Sequence, residues 1–260
     1  MKKCLFLVEG PFDKLRLDLL KDLFDRDKLE VITLNGDRMC DPNYKMNYEQ
    51  IIKEYLSKEL GFEYSDFDIV AQVCDTDGCF IDDNKVIEDT TIKKVSYSNN
   101  EIKAIDVNDV VNNHHIKCDT INYFLTNNLI ELYYNSCNID DAFNQTKNPN
   151  NKTKKRLALN DYNFYKNHLE KFIELIYSLD KLHSKSYEDS WNLIKDGANS
   201  LLSTSNLKYF IENHKFFLTV NFAEDPLGFP TTENMDIEYY RQYWKGNIKP
   251  NNLFFKINIL

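Results

Sequence analysis

Five apolar residues in a row, Cys4–Val8, run directly into Glu9-Gly10-Pro11. A run this short is far below the roughly 18–20 apolar residues of a membrane helix, and the acid that follows at once does not suit a signal-peptide core. It reads as a buried strand closed by a turn. Pro11 then opens a helix, where its missing N–H costs little. Leu15, Leu19, Leu20, Leu23 and Phe24 recur at helical spacing and give that helix one apolar face. The pattern repeats. Leu29–Leu34 is a second strand, closed by Asn35-Gly36-Asp37. Tyr48, Ile51, Ile52, Tyr55, Leu56 and Leu60 mark a second amphipathic helix. Phe67–Cys74 is a third strand, closed by Asp75-Thr76-Asp77-Gly78. Strand, helix, strand, helix, strand with short links predicts an α/β fold: a parallel sheet with right-handed crossovers, flanked by helices.

Beyond Gly78 the order weakens. Ile92–Tyr97 and Ile102–Val107 alternate around Asn99-Asn100, which predicts a β-hairpin insertion at about 84–106. Residues 117–133 read as helical. The polar stretch Asn144–Lys155 reads as a connector, and residues 161–215 as mostly helices, with Phe164, Leu169, Phe172, Ile173, Ile176 and Leu179 on one face. The tail carries Pro226, Gly228, Pro230, Gly246 and Pro250 and reads as irregular. Residues 1–143 are therefore expected to form the sheet domain and 144–260 a mainly helical C-terminal region.

The net charge of −9 opposes unaided, avid binding to bulk nucleic acid, since phosphate contacts need clustered Lys and Arg. It does not oppose a nuclease, whose site is acidic until metal enters. Cys4, Cys40, Cys74, Cys79, Cys118 and Cys137 contain no C-x-x-C pair, so zinc spacing is absent and reduced thiols in a cytoplasm are expected. His114 and His115 are adjacent and face apart on regular structure, so a shared metal is not expected. Trp191 and Trp244, with Tyr239, Tyr240 and Tyr243, read as packing residues.

Ligands of an open parallel sheet bind beyond the carboxyl ends of its strands. Glu9 follows strand one, and Asp75 and Asp77 follow strand three. If those strands are neighbours, three carboxylates meet at one edge, and Asp13, one helical turn past Glu9, points back to the same place. In extended chain, residues two apart lie about 6.6 Å from each other on a common side, a reach that suits one metal ion or two. Crowded carboxylates repel and take up protons unless a cation intervenes, and Mg²⁺ or Mn²⁺ is a hard ion that prefers such oxygens.

These segments carry a resemblance. Leu5-Phe6-Leu7-Val8-Glu9-Gly10-Pro11-Phe12-Asp13 resembles the opening of a Toprim domain, and Val73-Cys74-Asp75-Thr76-Asp77 resembles its Asp-x-Asp motif. The similarity covers residues 3–82 and is nearest to OLD-type nucleases and their stand-alone relatives. It implies Glu9, Asp13, Asp75 and Asp77 as metal ligands, with Glu9 also able to act as general acid or base. Tyr134–Phe143 is similar to the Ser-Asn-Pro-x-Phe-Glu segment of RloB-like Toprim proteins, which would add Asp140 to the ligands; an Asn/Asp helix cap ahead of Ala142-Phe143 is the other reading. The resemblance implies an Mg²⁺-dependent nuclease acting on DNA or RNA, in anti-phage defence, with a protein partner such as an ATPase. No membrane role is expected, and oligomerisation is left open.

Two other readings stand beside it. Asp75-Thr76-Asp77-Gly78-Cys79-Phe80-Ile81-Asp82 also resembles the first motif of HAD phosphatases, with Asp75 as nucleophile and Asp77 as general acid. A non-catalytic binding or regulatory protein is the third. Lys14 and Arg16 are candidate phosphate or nucleic-acid contacts, or residues of an exposed helix face. Lys152, Lys154, Lys155 and Arg156 form the most basic stretch, which either tracks a nucleic-acid backbone or is a solvated loop.

Overall fold

The computed structural model describes residues 1–36 and 38–221, together with the short strand Asn258–Ile259. Tyr239, Tyr240, Tyr243, Trp244 and most of the tail expected to be irregular lie outside the described residues. The fold is α/β. Strands β1 (Lys2–Val8), β2 (Leu29–Asn35), β3 (Ile69–Asp75) and β7 (Glu131–Asn135) form one parallel sheet in the order β2-β1-β3-β7. β1 pairs with both β2 and β3, and β3 carries β7 on its far side.

Alternation along the strands divides the core. Cys4, Phe6 and Val8 of β1, Ala71 and Val73 of β3 and Tyr133 of β7 point to one face. There they meet α1 (Pro11–Leu17), α2 (Leu20–Leu23), α7 (Leu169–Ser178) and α9 (Lys208–Asn213), with Tyr165 from α6 (Asn151–Tyr165). Leu5, Leu7, Cys74, Leu132 and Tyr134 point the other way, toward α3 (Tyr44–Glu59), α4 (Val107–Asn127) and α8 (Tyr187–Ile194). With both faces covered, β1 has no solvent side, which is why it reads as an unbroken apolar run. The helices that follow the expected connector share a core with the sheet.

α1 and α2 carry the chain from β1 to β2 over one face, and α3 carries it from β2 to β3 over the other. The direction of winding therefore reverses between β1 and β3, the position where an open α/β sheet leaves a crevice at its carboxyl edge.

Residues 117–133, expected to be helical throughout, are corrected by the structure. α4 begins at Val107 and ends against Asn128, which adopts a left-handed φ of 49°, and Glu131–Asn135 is strand β7. Buried on both faces and only five residues long, β7 gives no alternation to read. The expected connector at 144–155 is partly helical, since Asn150 accepts from the Thr153 N–H at 2.9 Å and starts α6. The segment read as an insertion holds a small three-stranded sheet. β5 (Ser96–Tyr97) and β6 (Ile102–Ala104) pair antiparallel, and β4 (Val86–Glu88) adds a parallel partner to β6. Residues 199–206 run along the outer edge of β7. Ser136 N–H donates to the Thr204 carbonyl at 2.8 Å, Cys137 N–H to the Ser200 carbonyl at 3.0 Å, and Tyr134 N–H to Asn206 Oδ1 at 2.8 Å.

The turn after β3 depends on one glycine. Asp77 and Gly78 both have positive φ, 50° and 72°, and a Cβ on Gly78 would lie 2.5 Å from Leu201 Cδ2 and 2.8 Å from Ile102 Cδ1. Gly78→Ala should therefore cost roughly 2–4 kcal/mol, from left-handed strain plus overpacking. Urea denaturation of the variant beside wild type measures it.

Candidate active site at the carboxyl edge of the sheet

Each strand of the sheet finishes at the same edge on a polar residue: Asn35 on β2, Glu9 just past β1, Asp75 on β3 and Asn135 on β7. Glu9 and Asp75 thus flank the point where the winding reverses. The adjacency of strands one and three, on which the carboxylate reading depended, is present.

Asp75 is buried, 7% exposed, and accepts a hydrogen bond from Asn135 Nδ2 at 3.2 Å. Burial pushes its carboxyl well above the ordinary carboxylate range, and the charges of Glu9, Asp13 and Asp77 push it further, against the pull of Lys117. Asp77 is half-buried on the tight turn. Its carboxylate forms an ion pair with Lys117, which reaches in from α4 and also donates to the Asp75 carbonyl at 2.8 Å. Lys117 is itself only 3% exposed, so a cation is built into the acid edge. Tyr97, from the hairpin, directs its hydroxyl to Asp77 Oδ1 at the long distance of 3.5 Å. His114, one turn before Lys117, is buried, and burial holds its imidazole below the usual histidine range. His115 faces away and meets exposed Asp83 at 3.0 Å, so the two histidines diverge.

The turn that carries these groups is pinned from two sides. Thr76 N–H donates to the Asn135 carbonyl at 2.9 Å, Asp77 N–H to the Cys137 carbonyl at 2.9 Å, and Thr76 Oγ1 to the Ser200 carbonyl at 3.1 Å.

Asp13 starts α1. Its Oδ2 accepts the Gly10 N–H at 2.9 Å, which fixes Glu9-Gly10 to the helix. Burial raises its carboxyl to about 6, opposed by that N–H and by Arg16 and Lys154; Asp140 adds to the rise. The acids therefore form a row in which Asp75 feels Asp13 and Asp13 feels Asp140.

Asp140 is 1% exposed in the first turn of α5 (Ile139–Asn144), which Asn138 caps by accepting the Asp141 N–H at 2.9 Å. The Asn/Asp cap expected ahead of Ala142-Phe143 is thus present, and Asp140 does something further. It accepts Arg16 Nη2 at 2.7 Å and lies 3.8 Å from Lys154 Nζ. Arg16, read from sequence as a candidate phosphate contact, is fully buried. It bridges Asp140 to Asp161 of α6, at 2.8 Å, and reaches Asn144 at 3.1 Å. That corrects the solvent-facing placement. The side chain is an internal clasp joining α1, α5 and α6. Lys14, its helix neighbour, is half-buried and makes no ion pair among the described residues.

Among the described residues, no group of three His, Cys, Asp or Glu side chains lies close enough together to hold a metal ion as it stands. The donors suit a hard divalent ion all the same. They are carboxylates crowded enough to raise one another, and Asn135 Oδ1, on the amide that contacts Asp75, is buried without a hydrogen-bond partner. A buried carbonyl oxygen left unpaired carries a desolvation cost that a cation would remove.

Sequence reading missed Lys117, Tyr97 and Asn135. Lys117 lies in a stretch read as helix, and a lysine there looks like any surface residue. Only the fold brings α4 across the end of β3. None of the six cysteines forms a disulfide. Among the described residues, no helix is long and apolar enough to cross a membrane. No family model matches the chain, and no curated protein or solved structure was found to be similar to it.

Proposed function

We propose that the chain is a divalent-metal-dependent nuclease that hydrolyses phosphodiester bonds of DNA or RNA at the edge formed by Glu9, Asp13, Asp75 and Asp77. The observation that carries this reading is Asp75, a carboxyl at the reversal point of the sheet, pushed up first by its burial and then by three neighbouring acids that Lys117 only partly offsets. Such a site gains from a divalent cation.

Bound Mg²⁺ or Mn²⁺ would supply charge neutralisation at the phosphate and activation of the attacking water. Asp75, Asp77 and Asp13 would hold it, with Asn135 Oδ1 as a further oxygen. Glu9, exposed at the mouth, would move a proton at the reacting oxygens. Lys117 keeps a positive charge beside Asp77 and so favours an anionic substrate. Asp140, tied to Arg16, supports the row of acids. The Toprim resemblance extends the proposal to anti-phage defence in a cytoplasm with an ATPase partner.

Glu9→Gln tests the reading. It should leave stability within about 1 kcal/mol, as for an exposed substitution. It should lower metal-dependent cleavage of a polynucleotide about 100-fold, because Gln neither carries charge nor shuttles a proton. The assay is done with and without the candidate ATPase. Turnover of small phosphomonoesters that survives Glu9→Gln but not Asp75→Asn would sink the proposal in favour of Asp75 as a phosphatase nucleophile.

A further inference from the structure

Some surface lysines in this chain are paired with acids. Lys28 pairs with Asp25, Lys53 with Glu49, Lys103 with Asp89 and Lys171 with Glu174. The segment from Ala142 to Asn160 is different. It contains no acid in a chain with 41 Asp and Glu, and it holds Lys147, Lys152, Lys154, Lys155 and Arg156. Lys147 and Lys154 turn inward to Asp141 and Asp140. Lys152, Lys155 and Arg156 are exposed and, among the described residues, have no carboxylate within ion-pair distance.

The spacing gives these three a common direction. Positions 152, 155, 156, 159 and 160 follow the i, i+3, i+4, i+7, i+8 pattern of one helix face. With Thr153, Asn160 and Leu159, itself 39% exposed, the three border a shallow, open depression on this one helix. The three basic residues span about 6 Å along the helix axis, and their long, flexible stems widen that reach to neighbouring phosphates of one strand. The opposite face of α6 is locked. Lys154 reaches Asp140, Asp161 holds Arg16, and Ala158 and Tyr165 are buried. Its first turns therefore stand next to the row of acids while the basic face looks outward.

We propose that this outward face of α6, with Lys152, Lys155 and Arg156 as phosphate contacts and Leu159 one turn beyond them, is the surface that grips the backbone of a polynucleotide substrate. The proposal rests on the nuclease reading for its partner and answers the difficulty raised by the net charge of −9, because the grip is concentrated where the acids are absent.

The test uses the full-length chain carrying Asp75→Asn, in EDTA, with a fluorescent single-stranded oligonucleotide read by anisotropy across a salt series. Lys152→Gln, Lys155→Gln and Arg156→Gln together keep helix-forming side chains. The triple change should weaken binding at low salt at least about 10-fold and reduce the slope of log K against log salt by about 2, from three lost contacts on a single strand. Unchanged affinity and slope, or no oligonucleotide binding before the triple change, overturns the proposal. So does a loss confined to a polyglutamate probe, which would assign the stripe to an acidic protein. Cleavage by the wild-type chain is scored separately. If the stripe fails the binding test while cleavage persists, only the surface is wrong. If stripe-dependent binding is found with no cleavage under any metal, the surface stands and the nuclease reading falls.

Discussion

Asp75→Asn should abolish metal-dependent cleavage, by more than about 1000-fold, and at the same time raise the melting temperature of the metal-free protein at neutral pH. Loss of activity follows from removing the central carboxylate of the proposed ligand set. The gain in stability follows from linkage. An Asp whose carboxyl is raised in the folded state contributes most below its ordinary value of about 3.9, where both states are protonated. As pH rises above that value the unfolded chain ionises more readily than the folded one, and stability is lost until the raised value is passed. Asn carries no such penalty. The advantage of the variant should therefore be absent near pH 4, grow with pH and then level off. Asp13, raised to about 6, imposes a similar loss between about pH 4 and pH 6, which should be no larger in the variant because Asp75→Asn leaves no charge beside it. Thermal melts at several pH values, each with EDTA or Mg²⁺, read every part of this. Wild type should gain stability from the ion and Asp75→Asn should not. A variant destabilised at every pH, or one that responds to metal as wild type does, would remove Asp75 from the site.

Arg16→Met should be the most destabilising single change outside the hydrophobic core. The guanidinium has no exposed surface and holds two carboxylates that belong to different helices, with Asp140 almost completely buried. Removing it leaves a buried charge without its main partner, which typically costs about 3–5 kcal/mol. That corresponds to a fall in melting temperature of about 10 °C for a chain of this size. Arg16→Lys should recover only part, since an ammonium cannot reproduce the planar fork that serves both acids. Arg16→Met combined with Asp140→Asn should be less damaged than the sum of the two, because the second change removes the charge that the first strands. A loss below about 1 kcal/mol for Arg16→Met would show that the clasp does not hold α6 in place.

The central elements were legible in the sequence because they are driven by burial. The apolar run before Glu9 and the one before Asp75 announce strands covered on both faces, and the acids that close them mark the carboxyl edge. The neighbourhood of those acids was legible only in outline. Arg16 and Lys117 are basic residues at helical positions, and local sequence does not distinguish a buried cation with partners 124 or 40 residues away from an ordinary surface one. Asn135 was hidden for the same reason as β7, a strand too short to show a period. Its register opposite Asp75 is set by long-range pairing alone.

The strip of chain at 199–206 that borders β7 has a consequence for biosynthesis. β7 is complete once Asn135 has been made, yet the groups that satisfy its outer edge and anchor the Thr76 hydroxyl come from Ser200, Thr204 and Asn206. At about 5–20 residues per second, a ribosome needs roughly 4–14 s to cover that interval. Throughout it the nascent sheet presents an open strand, a template for pairing with another chain. Expression of residues 1–143 alone would make that exposure permanent, and the yield of soluble product should depend on chaperones that shelter the edge until the later segment emerges.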